Sequence, residues 1–246
     1  MSSFAVILPA AGKSQRFKDE HYKKPFVNLA GRAVWIQAAE KFLSRDDCKQ
    51  VIVVIAPEDR EDFNRKFGAN VAILGVEVCD GGAQRVDSVA AALARVKEDI
   101  DFIAVHDAAR PCIATPWIDK VFAAAEKHAA AILAVPVTDT LKRIESGNRI
   151  AETATRANLW QAQTPQVFRR ELLLDAYAKR GSEPVTDDAE LVERVGHAVH
   201  VVYGSTRNIK ITTKDDLRLA EQILKVLPKP KLDGPRHPFA DGDLWR

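Results

Sequence analysis

The N-terminal stretch FAVILPAAGKSQR, residues 4–16, contains the clearest indication of fold class in the chain. Its first five residues are all apolar, as expected for a strand that is covered on both faces of a sheet. Small residues and a glycine follow directly, and then the basic side chains of Lys13 and Arg16. A buried strand that ends at such a loop is typical of an α/β protein, in which ligands bind at the carboxyl ends of the strands.

Strand-like and helix-like patterns alternate along the rest of the chain. Further strands are predicted at residues 51–56, 76–79, 102–106, 131–137, 199–203 and 209–212, and helices at 33–43, 57–67, 86–96, 115–128, 170–179, 187–195 and 214–226. This order predicts βαβ units, and therefore a mostly parallel, twisted sheet with helices on both faces.

Residues 138–157 interrupt the alternation. Two short segments, 140–144 and 149–153, flank a Gly147-Asn148 turn, which predicts a β-hairpin. Because such a hairpin is only marginally stable alone, we expect this protruding arm to pack on another surface, and a partner subunit is the natural candidate. We expect residues 1–227 to form a single domain and the proline-rich residues 228–246 to form an extended tail.

Composition and charge argue against several classes of protein. The 246 residues are 46% hydrophobic, and 36 basic against 34 acidic residues give a net charge of +2, which disfavours nucleic-acid binding. The apolar run at 4–11 is too short to cross a bilayer and lacks the flanks of a secretory signal. The cysteines Cys48, Cys79 and Cys112 are expected to be reduced and mostly buried. We therefore expect a cytoplasmic protein without membrane or nucleic-acid partners.

The loop Pro9-Ala10-Ala11-Gly12-Lys13 has the small residues that let backbone N–H groups approach a polyphosphate. Arg16 and Lys24 can supply positive charge. Neither a Walker A loop nor the dinucleotide-binding fingerprint fits, because the glycines that they require are missing at positions 7, 14 and 17. The alternative is an ordinary turn with solvated basic residues.

A second glycine turn, Gly81-Gly82-Ala83, leads into a predicted helix. Backbone amides at the N-terminus of a helix suit an anion or the edge of a base. The alternative is a tight turn in which Asp87 or Ser88 caps the helix.

The string His106-Asp107-Ala108-Ala109-Arg110-Pro111 follows an apolar strand, so Asp107 is expected at the carboxyl edge of the sheet. One carboxylate together with substrate phosphates is a common way to hold Mg²⁺. We interpret His106 as a structural hydrogen-bonding group, since no second histidine or cysteine is spaced to join it in a metal site. The alternative for Arg110 is that it forms an ion pair with Asp107 and has no further role.

These loops together resemble the 2-C-methyl-D-erythritol 4-phosphate cytidylyltransferase family. The resemblance covers residues 4 to 226 and includes the N-terminal loop, the Gly-Gly-x-x-Arg-x-x-Ser-Val stretch, HDAARP, LWQAQTPQ at 159–166, TDDA at 186–189 and NIKIT at 208–212. Where the family often has an acidic residue, this chain has Ala83, which suggests that any contact to the base is made by the backbone.

The resemblance implies a reaction and a nucleotidyltransferase fold. The phosphate of methylerythritol phosphate attacks the α-phosphorus of CTP, pyrophosphate leaves, and a CDP-sugar alcohol forms for isoprenoid synthesis. Asp107 is similar to the ligand of Mg²⁺ or another divalent cation. The resemblance also implies a homodimer in which the hairpin arm brings Thr140 and Arg156 to the neighbouring site.

The resemblance further implies a role for each of a set of residues in this chain. The catalytic residues are Arg16, Lys24 and Lys210. The nucleotide-binding residues are Pro9, Ala10, Ala11, Gly12, Lys13, Gly81, Gly82, Ala83, Ser88, Asp107 and Ala108. The acceptor-binding residues are Arg110, Thr140, Arg156, Thr164 and Lys210. Lys23 is the alternative to Lys24, because the spacing from the first loop differs by one residue from that of the family.

Two other functions stay open at the level of sequence. One is a cytidylyltransferase for another polyol phosphate, such as ribitol 5-phosphate. The other is a non-catalytic nucleotide-binding scaffold on the same fold, against which the charges of Arg16, Lys24, Asp107 and Lys210 argue.

Overall fold

A mixed seven-stranded sheet forms the centre of the molecule in the computed structural model, which describes residues 1–12 and 24–228. The strands are β1 (Phe4–Pro9), β2 (Asn28–Leu29), β3 (Arg32–Ala33), β4 (Cys48–Ile55), β5 (Glu77–Asp80), β6 (Phe102–Val105), β7 (Ala130–Pro136), β8 (Leu141–Ile144), β9 (Ile150–Ala154), β10 (Trp160–Arg169) and β11 (His200–Tyr203). The α-helices are α1 (Val34–Leu43), α2 (Arg60–Leu74), α3 (Arg85–Leu93), α4 (Thr115–His128), α5 (Arg170–Ala178), α6 (Asp188–Arg194) and α7 (Lys214–Lys225).

The strand order of the large sheet is β11-β7-β10-β6-β1-β4-β5. Strand β10 is antiparallel to both of its neighbours, while the other pairings are parallel. The carboxyl ends of β1, β4, β5 and β6 therefore meet at one edge. This confirms the predicted α/β class with a mostly parallel sheet.

The two faces of the sheet explain the continuous apolar run in β1. Phe4, Val6 and Leu8 pack into a core that includes residues of α1, α2 and α4. Ala5 and Ile7 pack into a second core, which includes residues of α3, α5 and α6. Because successive side chains of a strand point to opposite faces, a strand covered on both sides has no polar positions.

Two sequence expectations need correction. Residues 209–212 do not form the predicted strand; they are a loop in which the Ile211 amide donates to the Ala109 carbonyl at 2.8 Å. Strand β10 was not predicted, because polar residues interrupt its first half and Pro165 follows directly, and proline is rarely tolerated within a sheet. The register of β10 against β7 shifts between Ala162 and Gln166, so Pro165 lies where no ladder bond is required.

The predicted hairpin is present as a separate two-stranded sheet of β8 and β9. Its side chains are mostly exposed, and Ile144 and Ile150 have 52% and 60% of their surface accessible. An ion pair between Arg143 and Glu152, 2.6 Å apart, joins the two strands. Gly147 and Asn148 at the turn both have positive φ, which suits these residue types.

The three cysteines are free thiols, as predicted. Burial raises the pKa of Cys48 and of Cys112 to about 12, and it also raises the pKa of Cys79. The thiols therefore stay protonated at neutral pH. Within the part of the chain that the structure describes, none of the helices has both the length and the apolar character needed to cross a bilayer.

Candidate active site

A cavity of about 550 Å³ opens at the edge where the carboxyl ends of β1, β4, β5 and β6 meet. Most of its wall comes from the loops that follow these strands, with a contribution from the segment after β11. The lining residues are Pro9, Ala10, Ala11, Gly12, Pro25, Ala56, Pro57, Glu58, Gly81, Gly82, Ala83, Gln84, Arg85, Ser88, Asp107, Ala109, Lys210 and Ile211. The structure thus brings the three predicted loops and Lys210 into one space.

The glycine turn of the cavity is sterically tight. A Cβ on Gly81 would lie 2.6 Å from Ser88 Oγ, and a Cβ on Gly82 would lie 2.4 Å from the Cβ of Asp87. The Gly82 amide donates to Ser88 Oγ at 3.2 Å, and the Ser88 hydroxyl donates to the Gln84 carbonyl at 3.0 Å. Only glycine lets the backbone pass this close to α3, so the turn presents main chain, not side chains, to the cavity.

Asp107 is the acidic group at the end of β6, and three cations surround its carboxylate. Lys210 Nζ lies 2.8 Å from Oδ2, Arg110 Nε 3.5 Å from Oδ2, and Arg85 Nε 3.6 Å from Oδ1. Burial favours the neutral acid, but the attraction of Lys210, Arg85 and Arg110 outweighs it and holds the pKa of Asp107 well below its ordinary value. Asp107 is therefore an anion at any physiological pH.

His106 has a structural place, as the sequence interpretation proposed. It is fully buried; Nε2 lies 3.0 Å from the Arg110 carbonyl and Nδ1 3.1 Å from Thr164 Oγ1. Burial lowers the pKa of His106 to about 4. The ring is neutral at pH 7, and its partners leave it no role as a general base.

The register shift in β10 positions Thr164 behind the edge of the sheet that carries Asp107. Its hydroxyl accepts a hydrogen bond from the Asp107 amide at 3.0 Å. Its carbonyl accepts from the buried side-chain amide of Asn208 at 2.8 Å. The backbone carbonyl of Asn208 in turn accepts from Arg110 Nη1 at 2.7 Å. These bonds fix the loop that carries Lys210 to the cavity.

Several predicted residues lie away from the cavity wall. Ala108 is fully buried, and Thr164 is only 5% exposed, with its hydroxyl engaged as described. Arg110 is largely buried behind Asp107. Thr140 and Arg156 are exposed next to the hairpin strands and do not line the cavity of their own chain. Lys13, Arg16, Lys23, the side chain of Lys24 and residues 229–246 lie outside the described residues.

A buried polar group behind the cavity was missed at the level of sequence. Arg85 lines the cavity, and its Nη2 donates to Asp188 Oδ2 at 2.7 Å, while the Tyr177 hydroxyl donates to Asp188 Oδ1 at 2.6 Å. Burial opposes the charge on Arg85, but Asp188 and Asp107 raise its pKa above the ordinary value. Signals were available: Arg85 and Asp188 lie in two of the stretches that carry the family resemblance, and Arg85 begins α3, where the helix dipole disfavours a cation.

The sequence and the coordinates match one family of enzymes. The family model described as 2-C-methyl-D-erythritol 4-phosphate cytidylyltransferase matches residues 4–226. A protein of that name from Rhodopirellula baltica is 40% identical over 234 residues, covering 91% of this chain and 95% of the relative. Another, from Bacillus velezensis, is 43% identical over 225 residues, covering 90% and 96% respectively.

Solved structures of proteins with the same name share the fold. The structure from Francisella tularensis has a TM-score of 0.77 and 32% identity, over 90% of this chain and 100% of the other. The structure from Thermus thermophilus has a TM-score of 0.74 and 31% identity, over 92% and 100%.

Proposed function

Because the chain belongs to the 2-C-methyl-D-erythritol 4-phosphate cytidylyltransferase family, we propose that it transfers CMP from CTP to 2-C-methyl-D-erythritol 4-phosphate. The products are 4-diphosphocytidyl-2-C-methyl-D-erythritol and pyrophosphate, in the synthesis of isoprenoid precursors. The observation that carries this proposal is the cavity in which two small-residue loops, Asp107 and Lys210 meet.

The chemistry needs positioned charge and no general base. The nucleophile is a phosphate monoester, whose second pKa of about 6 leaves it ionised at neutral pH. An oxygen of this phosphate forms a bond to the α-phosphorus of CTP, and the bond to the β-phosphate oxygen breaks as pyrophosphate leaves. In-line placement and neutralisation of the developing charge then account for catalysis. His106 is neutral and held by two hydrogen-bond partners, so it does not act as a general base, and the reaction does not require one.

The described residues divide between the two substrates. We assign the main-chain groups of residues 9–12 and of the Gly81–Ala83 turn, with Ser88 beside them, to the triphosphate and the base. We assign Lys210 and Arg110, which lie 2.8 Å and 3.5 Å from Asp107 Oδ2, to the acceptor phosphate. We assign Arg16 and Lys24 to the triphosphate and the transition state on the family resemblance, since their side chains lie outside the described residues.

A divalent cation fits the chemistry of Asp107. Its carboxylate is ionised, lies at the cavity wall, and has one oxygen, Oδ1, whose ion-pair partner stands 3.6 Å away. The described residues contain no cluster of three metal-ligating side chains, so the remaining ligands would be nucleotide phosphates and water. Mg²⁺ bound there would neutralise phosphate charge and orient the triphosphate for attack.

We also propose that the active form is a homodimer. Support comes from the exposed hairpin and from apolar surface near it, where Trp160 and Tyr203 make an edge-to-face contact at 5.7 Å while remaining 44% and 62% exposed. The hairpin, residues 138–157, would then carry Thr140 and Arg156 to the partner's acceptor site. Residues 1–227 would act as one domain, and the reduced cysteines favour a cytoplasmic location.

A pyrophosphate-release assay tests the proposed function. The full chain is incubated with Mg²⁺, each of the four nucleoside triphosphates, and either methylerythritol phosphate or ribitol 5-phosphate. We expect release with CTP and methylerythritol phosphate, and other bases to be disfavoured by up to ~10⁴ where a hydrogen bond to the base edge is lost. A preference for ribitol 5-phosphate would show that the proposed acceptor is wrong. CTP binding without pyrophosphate release would indicate a non-catalytic scaffold.

A further inference from the structure

A buried row of polar side chains runs from the layer of α5 and α6 to the cavity. The Tyr177 hydroxyl donates to Asp188 Oδ1 at 2.6 Å, and Asp188 Oδ2 accepts from Arg85 Nη2 at 2.7 Å. The same guanidinium faces a second carboxylate, since its Nε lies 3.6 Å from Asp107 Oδ1. Arg85 therefore forms a hydrogen bond with Asp188 but only a longer ion pair with Asp107.

Asp188 is well suited to hold the guanidinium. Its side chain is fully buried, and its amide donates to Gln166 Oε1 at 3.1 Å, beside the Ala189 amide at 3.0 Å. Both carboxylate oxygens have a close donor, so the group has little freedom to rotate. Charge-assisted bonds of this length are the strong class of protein hydrogen bonds, and this one determines where Arg85 rests.

The gap between Arg85 and Asp107 has a chemical consequence. Asp107 Oδ2 already accepts from Lys210 at 2.8 Å, so Oδ1 is the oxygen left to receive a ligand from the cavity. If Arg85 moved about 1 Å closer, the present 3.6 Å ion pair would become a direct hydrogen bond that covers Oδ1.

We propose that Asp188, assisted by Tyr177, is a positioning residue that holds Arg85 back from Asp107 and thereby keeps Asp107 Oδ1 available to the divalent cation bound with the nucleotide. This inference rests on the proposed function, and it adds a role for residues behind the cavity wall that do not touch substrate. The Asp188→Asn variant should release Arg85 to form a direct hydrogen bond with Asp107 Oδ1. Tyr177→Phe should weaken the anchor without removing its charge.

Metal binding gives the direct test. Mn²⁺ binding to the full chain with CTP is measured from the paramagnetic resonance signal of the free ion, and the Mg²⁺ dependence of pyrophosphate release is measured in parallel. Changes behind a metal ligand typically cost 10- to 100-fold in metal affinity, so we expect about tenfold weaker Mn²⁺ binding in Asp188→Asn and a smaller loss in Tyr177→Phe. The control Asp175→Asn, an exposed carboxylate on α5 paired with Lys179, should bind Mn²⁺ like the wild type.

The double variant Arg85→Gln, Asp188→Asn separates positioning from a purely structural role. Removing both charged partners together removes the cation that covers Asp107, so Mn²⁺ affinity should recover to within about threefold of the wild type. A structural role predicts that the double variant binds Mn²⁺ no better than Asp188→Asn. If Asp188→Asn does not fold, as judged by circular dichroism, Tyr177→Phe and the double variant decide.

Different results would overturn the proposed function and the positioning role of Asp188. Wild-type protein that releases no pyrophosphate overturns the proposed function. Wild-type turnover together with unchanged Mn²⁺ affinity in folded Asp188→Asn or Tyr177→Phe, or no recovery in the double variant, overturns the positioning role.

Discussion

The steric limit at Gly82 gives a quantitative prediction for the substitution Gly82→Ala. The new Cβ would lie 2.4 Å from the Cβ of Asp87, whereas carbon atoms in good contact are ~3.5–4.0 Å apart, so one of the two must move by roughly 1 Å. Asp87 is held by the Gln84 amide at 3.1 Å and by Arg180 at 2.7 Å. Retreat would therefore break the cap of α3.

The cost of this retreat follows from the bonds that are lost. A helix cap contributes about 1 kcal/mol, and a half-exposed ion pair such as Asp87 with Arg180 contributes at most ~1 kcal/mol. Overpacking of a tight site costs ~1–3 kcal/mol, which overlaps with these losses. We estimate the total free-energy cost of displacing the turn at ~2 kcal/mol. If this cost affects only the CTP-bound protein, it corresponds to roughly 30-fold weaker CTP binding.

Isothermal titration with CTP and Mg²⁺, together with thermal unfolding, measures both parts of the effect. Gly68→Ala in α2 is the matched control, because a Cβ there meets nothing within 4 Å and should stabilise the helix by ~0.5–1 kcal/mol without changing CTP affinity. Gly82→Ala protein with wild-type CTP affinity and wild-type stability would refute the claim that main chain must approach α3 this closely.

Three further predictions concern charge, acid stability and assembly. Arg16→Ala or Lys24→Ala should lower kcat by roughly 10²–10³, the scale for losing one preorganised donor to a developing anion; normal turnover of a folded variant would remove that residue from the mechanism. The pKa of His106 is lowered from ~6.5 in an unfolded chain to about 4, so the unfolded state binds the proton first and stability falls as the pH drops from ~6.5 towards 4. This group should contribute roughly 3 kcal/mol of that loss, and urea unfolding of His106→Gln should show a flatter pH dependence. Ile150→Glu on the exposed hairpin should shift the mass measured by light scattering from dimer to monomer, and a wild-type monomer at all working concentrations would contradict the proposed dimer.

The sequence was sufficient for those parts of the fold that depend on local periodicity. Continuous apolar runs located β1, β6 and the part of β4 from residue 51 onwards, because both faces of the sheet are covered there and these positions are apolar. The hairpin was found from the Gly147-Asn148 turn. Strand β10 was not predicted because its polar residues are matched by distant partners. Gln161 lies opposite Val135, and the Thr164 hydroxyl, within the register shift, contacts the Asp107 amide and the His106 ring.

The site was predictable where loops follow strands and less so behind them. Residues 9–12, Gly82, Asp107 and Lys210 line one cavity, and the first three of these loops meet there because parallel strands bring their carboxyl ends to one edge. The sequence did not reveal which polar side chains face the cavity and which lie behind its wall. The Thr164 hydroxyl accepts from the Asp107 amide, and the Arg110 guanidinium donates to the Asn208 carbonyl. Arg110 and Asn208 are 98 positions apart in the chain, so the local sequence does not reveal their contact.

The insertion of β10 between β6 and β7 affects the order in which the enzyme becomes competent during synthesis. The glycine turn at Gly82 and the strand that ends before Asp107 are complete early, but the partner of the Asp107 amide is translated 57 residues later and Lys210 later still. A nascent chain halted before β10 would leave one edge of β6 and one edge of β7 unpaired, and unpaired strand edges promote aggregation. Lys210 therefore joins the loops of the nucleotide site only at a late stage of synthesis.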